Sequence, residues 1–198
     1  LPIFLRNLLA GFIAHINNGS NKIYGLPEPD HKFGATHPTI NSELLYKIRH
    51  GKIKPRVEIE RFEGKEVFFK DKSIEKFDVI IACTGFVLAH PFFDKKFLNY
   101  SEGPVPLYLK MFHPTYDNLY FIGMFQPLGC IWPGAEQQSK LAALALKGSW
   151  KRPDNIDVLC EREVTHPHMK QINTSRHRIT VEFHRFMRDL KTQIIKIA

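Results

Sequence analysis

Hydrophobic positions recur at helical spacing from the start of the chain. Within Leu1–Ile16, Phe4, Leu5, Leu8, Leu9, Phe12, Ile13 and Ile16 fall on one face, and Asn17-Asn18-Gly19-Ser20 follows as a stop. Gly25 to Pro38 carries Pro27, Pro29, Gly34 and Pro38 and is expected to run as an irregular surface connection. Asn41 or Ser42 then caps a short helix over Glu43–His50. From Gly51 the period changes: Val57 and Ile59, then Val67, Phe68 and Phe69, bounded by Gly64-Lys65 and Asp71-Lys72, predict two short antiparallel strands. Asp78–Ala82 is continuously apolar and β-branched, as in a strand covered on both faces inside an α/β sheet. Val105–Phe112 and Leu119–Ile122 predict further strands. Pro133–Lys147 predicts a helix with proline in its first turn and Gly148 just past its end. Beyond Trp150 the chain is polar and histidine-bearing until Thr180. Val181, Phe183, Phe186, Met187, Leu190 and Ile194 then predict an amphipathic helix that docks on the preceding domain.

Composition narrows the class without naming it. The 198 residues are 43% hydrophobic with ordinary glycine and proline content, which places the chain among folded proteins rather than disordered or fibrous ones. The net charge of +8 is diffuse, with no block of five or six like charges, so a nucleic-acid partner is not expected. Three cysteines, Cys83, Cys130 and Cys160, stand far apart with no C-x-x-C pair; this argues against a disulfide framework or zinc site and for a reducing, cytoplasmic setting. Leu1–Ile16 contains Arg6 and is shorter than the ~20 residues a spanning helix needs, so it reads as an amphipathic helix rather than a signal or membrane segment. The chain opens at Leu1 inside that periodic segment, as a fragment would.

Three segments carry candidate chemistry. Asp78–Phe86, D-V-I-I-A-C-T-G-F, ends at Thr84-Gly85, where a glycine permits close backbone approach to a ligand or simply makes a tight turn. Asn118–Gln138, N-L-Y-F-I-G-M-F-Q-P-L-G-C-I-W-P-G-A-E-Q-Q, runs from a short strand through Gly123 and Gly129 into a helix opening near Trp132-Pro133. Free N–H groups and the positive helix end there suit the electron-rich pyrimidine side of a flavin, or mark a routine strand-to-helix turn. In His37–Arg56, Asn41 is placed either to reach a ligand amide or to cap the helix after it.

In order, these segments resemble the flavin-containing monooxygenases. The resemblance rests on Y-G-L at Tyr24–Leu26, N-S-E-L-L from Asn41, G-K-I-K-P at Gly51–Pro55, D-V-I-x-x-x-T-G-F with Pro91-Phe92-Phe93 after it, L-Y-F-I-G, and Q-P-L-G-x-I-x-P-x-x-E-x-Q from Gln126 to Gln138. It covers residues 20–150, and the tail more loosely through Arg176-His177. It implies a partial, Rossmann-like α/β flavoprotein with two dinucleotide-binding domains, its N-terminal portion missing. Residues 1–82 would end the NADP domain, 83–150 would form the C-terminal part of the FAD domain, and 151–198 a tail. Thr84, Gly85 and Phe86 would lie at the domain junction. Gly123, Gln126, Pro127 and Leu128 would line the flavin, with Gln126 the leading single residue. The implied cofactors are FAD and NADPH. The implied reaction is oxygenation of a soft nitrogen or sulfur in a small molecule by O2 through a peroxyflavin, and no acid–base triad is required for it. A Baeyer–Villiger-type oxygenase is the near alternative; a basic nucleic-acid-binding module, resting on Arg49–Arg56, is the distant one.

No G-x-G-x-x-G occurs, so both pyrophosphate loops are expected upstream of Leu1 and the fragment alone is expected to be inactive. Cys83 and Cys130 read as small buried residues, the ten histidines fit no zinc spacing, and Trp132 is expected to face a pocket. Oligomeric state, a homo-oligomer included, and membrane association stay open.

Overall fold

The computed structural model describes residues 3–36, 41–169, 172, 174 and 177–195, with the side chains of 3 and 4 left out. The expected positions of His37–Ile40, including Pro38, and of Arg176 lie outside the described residues. The chain divides into two compact units, Leu1–Phe86 and Val87–Ala198.

In the first unit, α1 (Ile3–Asn18) follows the predicted periodicity and stops at Gly19, whose φ of +73° takes the left-handed conformation open to glycine. A 3-10 turn, Asn21–Tyr24, begins where the Ser20 hydroxyl accepts the Lys22 N–H at 3.2 Å. Tyr24 is buried; its hydroxyl donates to the Asn18 carbonyl at 2.8 Å and accepts from Arg49. α2 (Leu44–Arg49) starts where the Asn41 side-chain oxygen accepts the N–H groups of Glu43 and Leu44 at 2.8 and 2.7 Å, so Asn41 is used as a cap. β1 (Ile59–Glu63), β2 (Glu66–Phe69) and β3 (Ile74–Lys76) form an antiparallel meander in the order β1-β2-β3. Two of these strands were expected; the third follows from Lys72, whose φ of 69° closes the turn after Asp71.

The strand expected over Asp78–Ala82 does not form. Val79, Ile80 and Ile81 are 74%, 56% and 79% exposed, and no strand runs from Asp78 to His90. A continuously apolar strand needs hydrogen-bonded neighbours and a layer on each face, and among the described residues no strand pairs with it. No doubly wound parallel sheet is built among the described residues either; the architecture is mixed helix and sheet, with one small antiparallel meander and one short parallel pair.

The second unit holds its core between three helices: α3 (Trp132–Leu146), α4 (Ile156–Thr165) and α5 (Phe183–Ile195). α3 has proline in its first turn and Gly148 beyond its end at φ +78°, as predicted. α5 buries Phe186 and Leu190 and packs on α3, which is the expected docking. β4 (Gln126–Pro127) pairs in parallel with β5 (Thr180–Val181).

Neither Val105–Phe112 nor Leu119–Ile122 is a strand. Val105, Leu107, Met111 and Phe112 are buried, as their apolarity requires, but Leu109 and Lys110 both take left-handed φ values of 53° and 55° and reverse the chain. Tyr108 and Phe112 face each other as a single antiparallel bridge, and Phe112 bridges Tyr120 in turn. Two adjacent non-glycine residues in that conformation cost about 1–2 kcal/mol each, so the surrounding contacts must over-determine the reversal.

Candidate functional site

The turn that joins Tyr120 to α3 is fixed at three places. Gly123, at φ +79°, gives its N–H to the Gln138 side-chain oxygen on α3 at 2.8 Å. Phe125 lays its ring over Gly134, where any Cβ would collide with it, and against Phe186 of α5 at 4.6 Å between centroids. The Gln126 N–H donates to the Ile179 carbonyl at 2.8 Å, which starts β4 against β5. Met124, Phe125 and Pro127 are buried, whereas Gly123 and Gln126 are half-buried and Leu128 is 49% exposed.

What these anchors leave open defines the candidate site. Among the described residues no hydrogen bond engages the Gln126 carboxamide. Gly129 sits at φ +122° with nothing within 4 Å of where a Cβ would be. Free N–H groups were expected along this segment, but that of Gly123 is taken by Gln138, so Gly123 serves the turn through its backbone conformation. Trp132 is 75% exposed at the start of α3, and Cys130 near it is exposed rather than buried.

Thr84, Gly85 and Phe86 belong to the first unit and are all exposed, Phe86 completely, with Gly85 at φ +89° and open space around it. Cys83 before them is exposed, against the expectation of burial, since the strand that would have covered it is absent.

Sequence reasoning missed the most buried polar groups of the second unit. Gln138 is fully buried; it accepts from Gly123 and donates from Nε2 to the Leu109 carbonyl at 3.0 Å. Its position was visible as the last residue of the Gln126–Gln138 motif, but its role was not. The Lys110 ammonium and Glu163 carboxylate meet at 3.4 Å with side chains 5% and 11% exposed, a pairing between loop and α4 that no local signal announces. A cleft of about 270 Å3 near them is lined by Tyr108, Glu163, His168, Arg185 and Asp189. Within it Glu163 pairs with Lys110, and Asp189 lies 3.5 Å from the His168 imidazole and 3.9 Å from Arg185. Burial, ahead of the nearby Arg185 and Lys110, holds the His168 imidazole below its ordinary range. Cys160 is buried with its thiol pushed up to about 11 by desolvation, which makes it an inert core group.

A family model described as flavin-binding monooxygenase-like matches residues 7–197 of the chain. The chain belongs to that family. Similar relatives of this flavin-binding monooxygenase-like chain include flavin-containing monooxygenase 5 of Rattus norvegicus, 32% identical over 82% of the chain and 31% of the relative. Dimethylaniline monooxygenase (N-oxide-forming) 2 of Oryctolagus cuniculus is 30% identical over 70% of the chain and 26% of the relative. Flavin-containing monooxygenase 5 of Homo sapiens is 28% identical over 86% and 32%. The chain thus spans about a third of the length of the curated relatives it matches. Among the described residues, no helix is long and apolar enough to cross a membrane, and no group of His, Cys, Asp or Glu is arranged to hold a metal ion.

The turn's donor set fits a flavin edge. A carboxamide offers both a donor and an acceptor, which is what the alternating N–H and C=O groups of a pyrimidine-dione require, and Gln126 presents one unengaged on a backbone held in place by α3, α5 and β5.

Proposed function

We propose that the protein carrying this chain is an FAD- and NADPH-dependent monooxygenase that oxygenates a soft nitrogen or sulfur in small molecules. In this reading residues 1–82 end an NADP-binding domain, 83–150 form the C-terminal part of a Rossmann-like FAD domain, and 151–198 brace that part from behind through β5 and α5. The chemistry such a flavin supplies is activation of dioxygen with electrons from NADPH, one oxygen atom going to the substrate and the other to water. The part played by this chain is to orient and exclude: Gln126 would meet the pyrimidine edge, Leu128 and Pro127 would cover it, and Gly123 would set the turn. Thr84, Gly85 and Phe86 would mark the crossing between domains. The chain holds no glycine-rich pyrophosphate loop, so by itself it would not turn over.

The observation that carries the reading is the Gln126 carboxamide, without a hydrogen bond among the described residues, on a turn anchored at the Gly123 and Gln126 N–H groups. Membership in a flavin-binding family gives that amide a partner. A relative whose name specifies N-oxide formation supports nitrogen as an acceptor over Baeyer–Villiger chemistry. The basic-module alternative is weakened at two of its four cations, since Arg49 is hydrogen-bonded to Tyr24 and Arg56 is paired with Glu75. Exposed cysteines with no disulfide among them go with a reducing, cytoplasmic compartment.

The test is direct. The full-length protein, purified, is expected to be yellow, to bind FAD stoichiometrically and to oxidise NADPH faster when a tertiary amine or thioether is added, with the N- or S-oxide as product. A colourless protein that takes up no added FAD removes the proposal. Flavin uptake with an ester as product from a ketone redirects it to the Baeyer–Villiger class.

A further inference from the structure

We propose that Gln138 is the positioning residue of the candidate flavin site, an inference that rests on the reading just given. Gln138 sits inside α3 with no exposed surface, where a leucine of similar size would fill the same space without the cost of burying an amide. A buried carboxamide is retained where both of its ends are used, and here they join two segments far apart in sequence. Its oxygen accepts the Gly123 N–H at 2.8 Å, and its nitrogen donates to the Leu109 carbonyl at 3.0 Å.

Each partner is a place where the backbone needs outside support. Gly123 begins the turn that carries Gln126, and its left-handed φ lets the chain bend away from the Tyr120 bridge. Leu109 is the first of the two left-handed residues that reverse the 105–112 segment, and the reversal places Met111 where its carbonyl accepts the Phe121 N–H at 2.9 Å. One side chain therefore sets the height of the flavin-facing turn on α3 and locks the loop beneath it. Phe125 over Gly134, one turn earlier on the same helix, fixes the turn sideways but offers no polar bond to hold its register. Groups that orient ligand-contacting residues in this manner determine affinity through geometry rather than contact.

The experiment uses the full-length protein stripped of flavin and titrated with FAD, following the quenching of flavin fluorescence. Three variants are compared, at a pH where an introduced carboxylate is ionised: Q138L, which removes both bonds; Q138E, which as a carboxylate keeps an acceptor for Gly123 but has no proton to donate to the Leu109 carbonyl; and L141A, which opens a cavity at a fully buried leucine on the same helix. Q138L and Q138E are expected to weaken FAD about 10-fold or more, the order seen when groups orienting a ligand's direct contacts are removed, and to shift the visible spectrum of the bound flavin. L141A is expected to lower the urea midpoint at least as far while leaving FAD affinity and spectrum unchanged. Folded Q138 variants with wild-type affinity and spectrum, or an equal FAD loss in L141A, would reduce Gln138 to a core residue and overturn the inference alone. Wild-type protein that binds no FAD fails the functional reading itself and takes this inference with it. Should neither Q138 variant fold, amide exchange of the wild type decides: strong protection of the Gly123 N–H is required, and fast exchange there refutes the bond.

Discussion

Replacing Phe186 by alanine tests how α5 holds the turn. Phe186 has no exposed surface and packs on Phe125 in a tilted ring pair with centroids 4.6 Å apart, between the tail helix and the segment that carries Gln126. Truncating a fully buried phenylalanine costs about 3–5 kcal/mol through lost transfer energy and the cavity left behind. Loss of an aromatic pair, worth about 0.5–1.5 kcal/mol, places this site toward the upper end. Ile195 on the same helix is 70% exposed, and I195A is expected to change stability by no more than about 0.5 kcal/mol. Urea unfolding followed by tryptophan fluorescence reports the relevant unit, because both tryptophans of the chain, Trp132 and the buried Trp150 stacked on Phe112, lie in it. F186A is expected to lower the midpoint with little change in slope. A loss below about 1 kcal/mol, or one matching I195A, would mean that Phe186 does not pack on the turn at Phe125 as described.

Two further outcomes follow from the titratable groups. In native protein near neutral pH, Cys83 and Cys130 should alkylate with iodoacetamide while Cys160, buried and with its thiol raised to about 11, reacts only after denaturation; peptide mapping that finds Cys160 modified as fast as the others contradicts its placement. Burial lowers the His168 pKa from the ordinary 6.5, so the unfolded chain binds more protons than the folded one in the window below that value. Its contribution is complete above about pH 6.5 and is lost as pH falls toward the folded value, so H168Q should flatten the decline in urea midpoint on acidification. His113, depressed by burial and Arg152, acts in the same direction and is left in place in both proteins. Parallel declines in the two proteins would show that His168 does not stay neutral in the folded state.

The elements legible in the sequence are those whose signal is local. The period of α1, α3 and α5, the Asn41 cap and the β1–β2 hairpin are each encoded within a few turns of chain, because helical spacing, capping oxygens and turn residues act over short distances. That Gly123, Gln126 and Pro127 share one short turn before α3 was also legible, since they lie within five residues of one another. α4 was missed because its polar sequence buries only Ile156 and Cys160, too few positions to make a stripe. Apolarity correctly marked Val105–Phe112 as interior, yet not its shape: the reversal at Leu109–Lys110 is held by Gln138 and Glu163, which reach it from other elements, as well as by its own backbone bonds. The same limit applies to Asp78–Ala82, whose composition states what would stabilise it as a strand but cannot supply the neighbours. Sequence thus determined which segments seek the interior and which residues offer chemistry, as properties of single residues and short periods. Tertiary structure alone decided which amide has no partner among the described residues and which is consumed, because a hydrogen bond between residues 15 apart in the chain, such as Gly123 to Gln138, is settled by packing rather than by pattern.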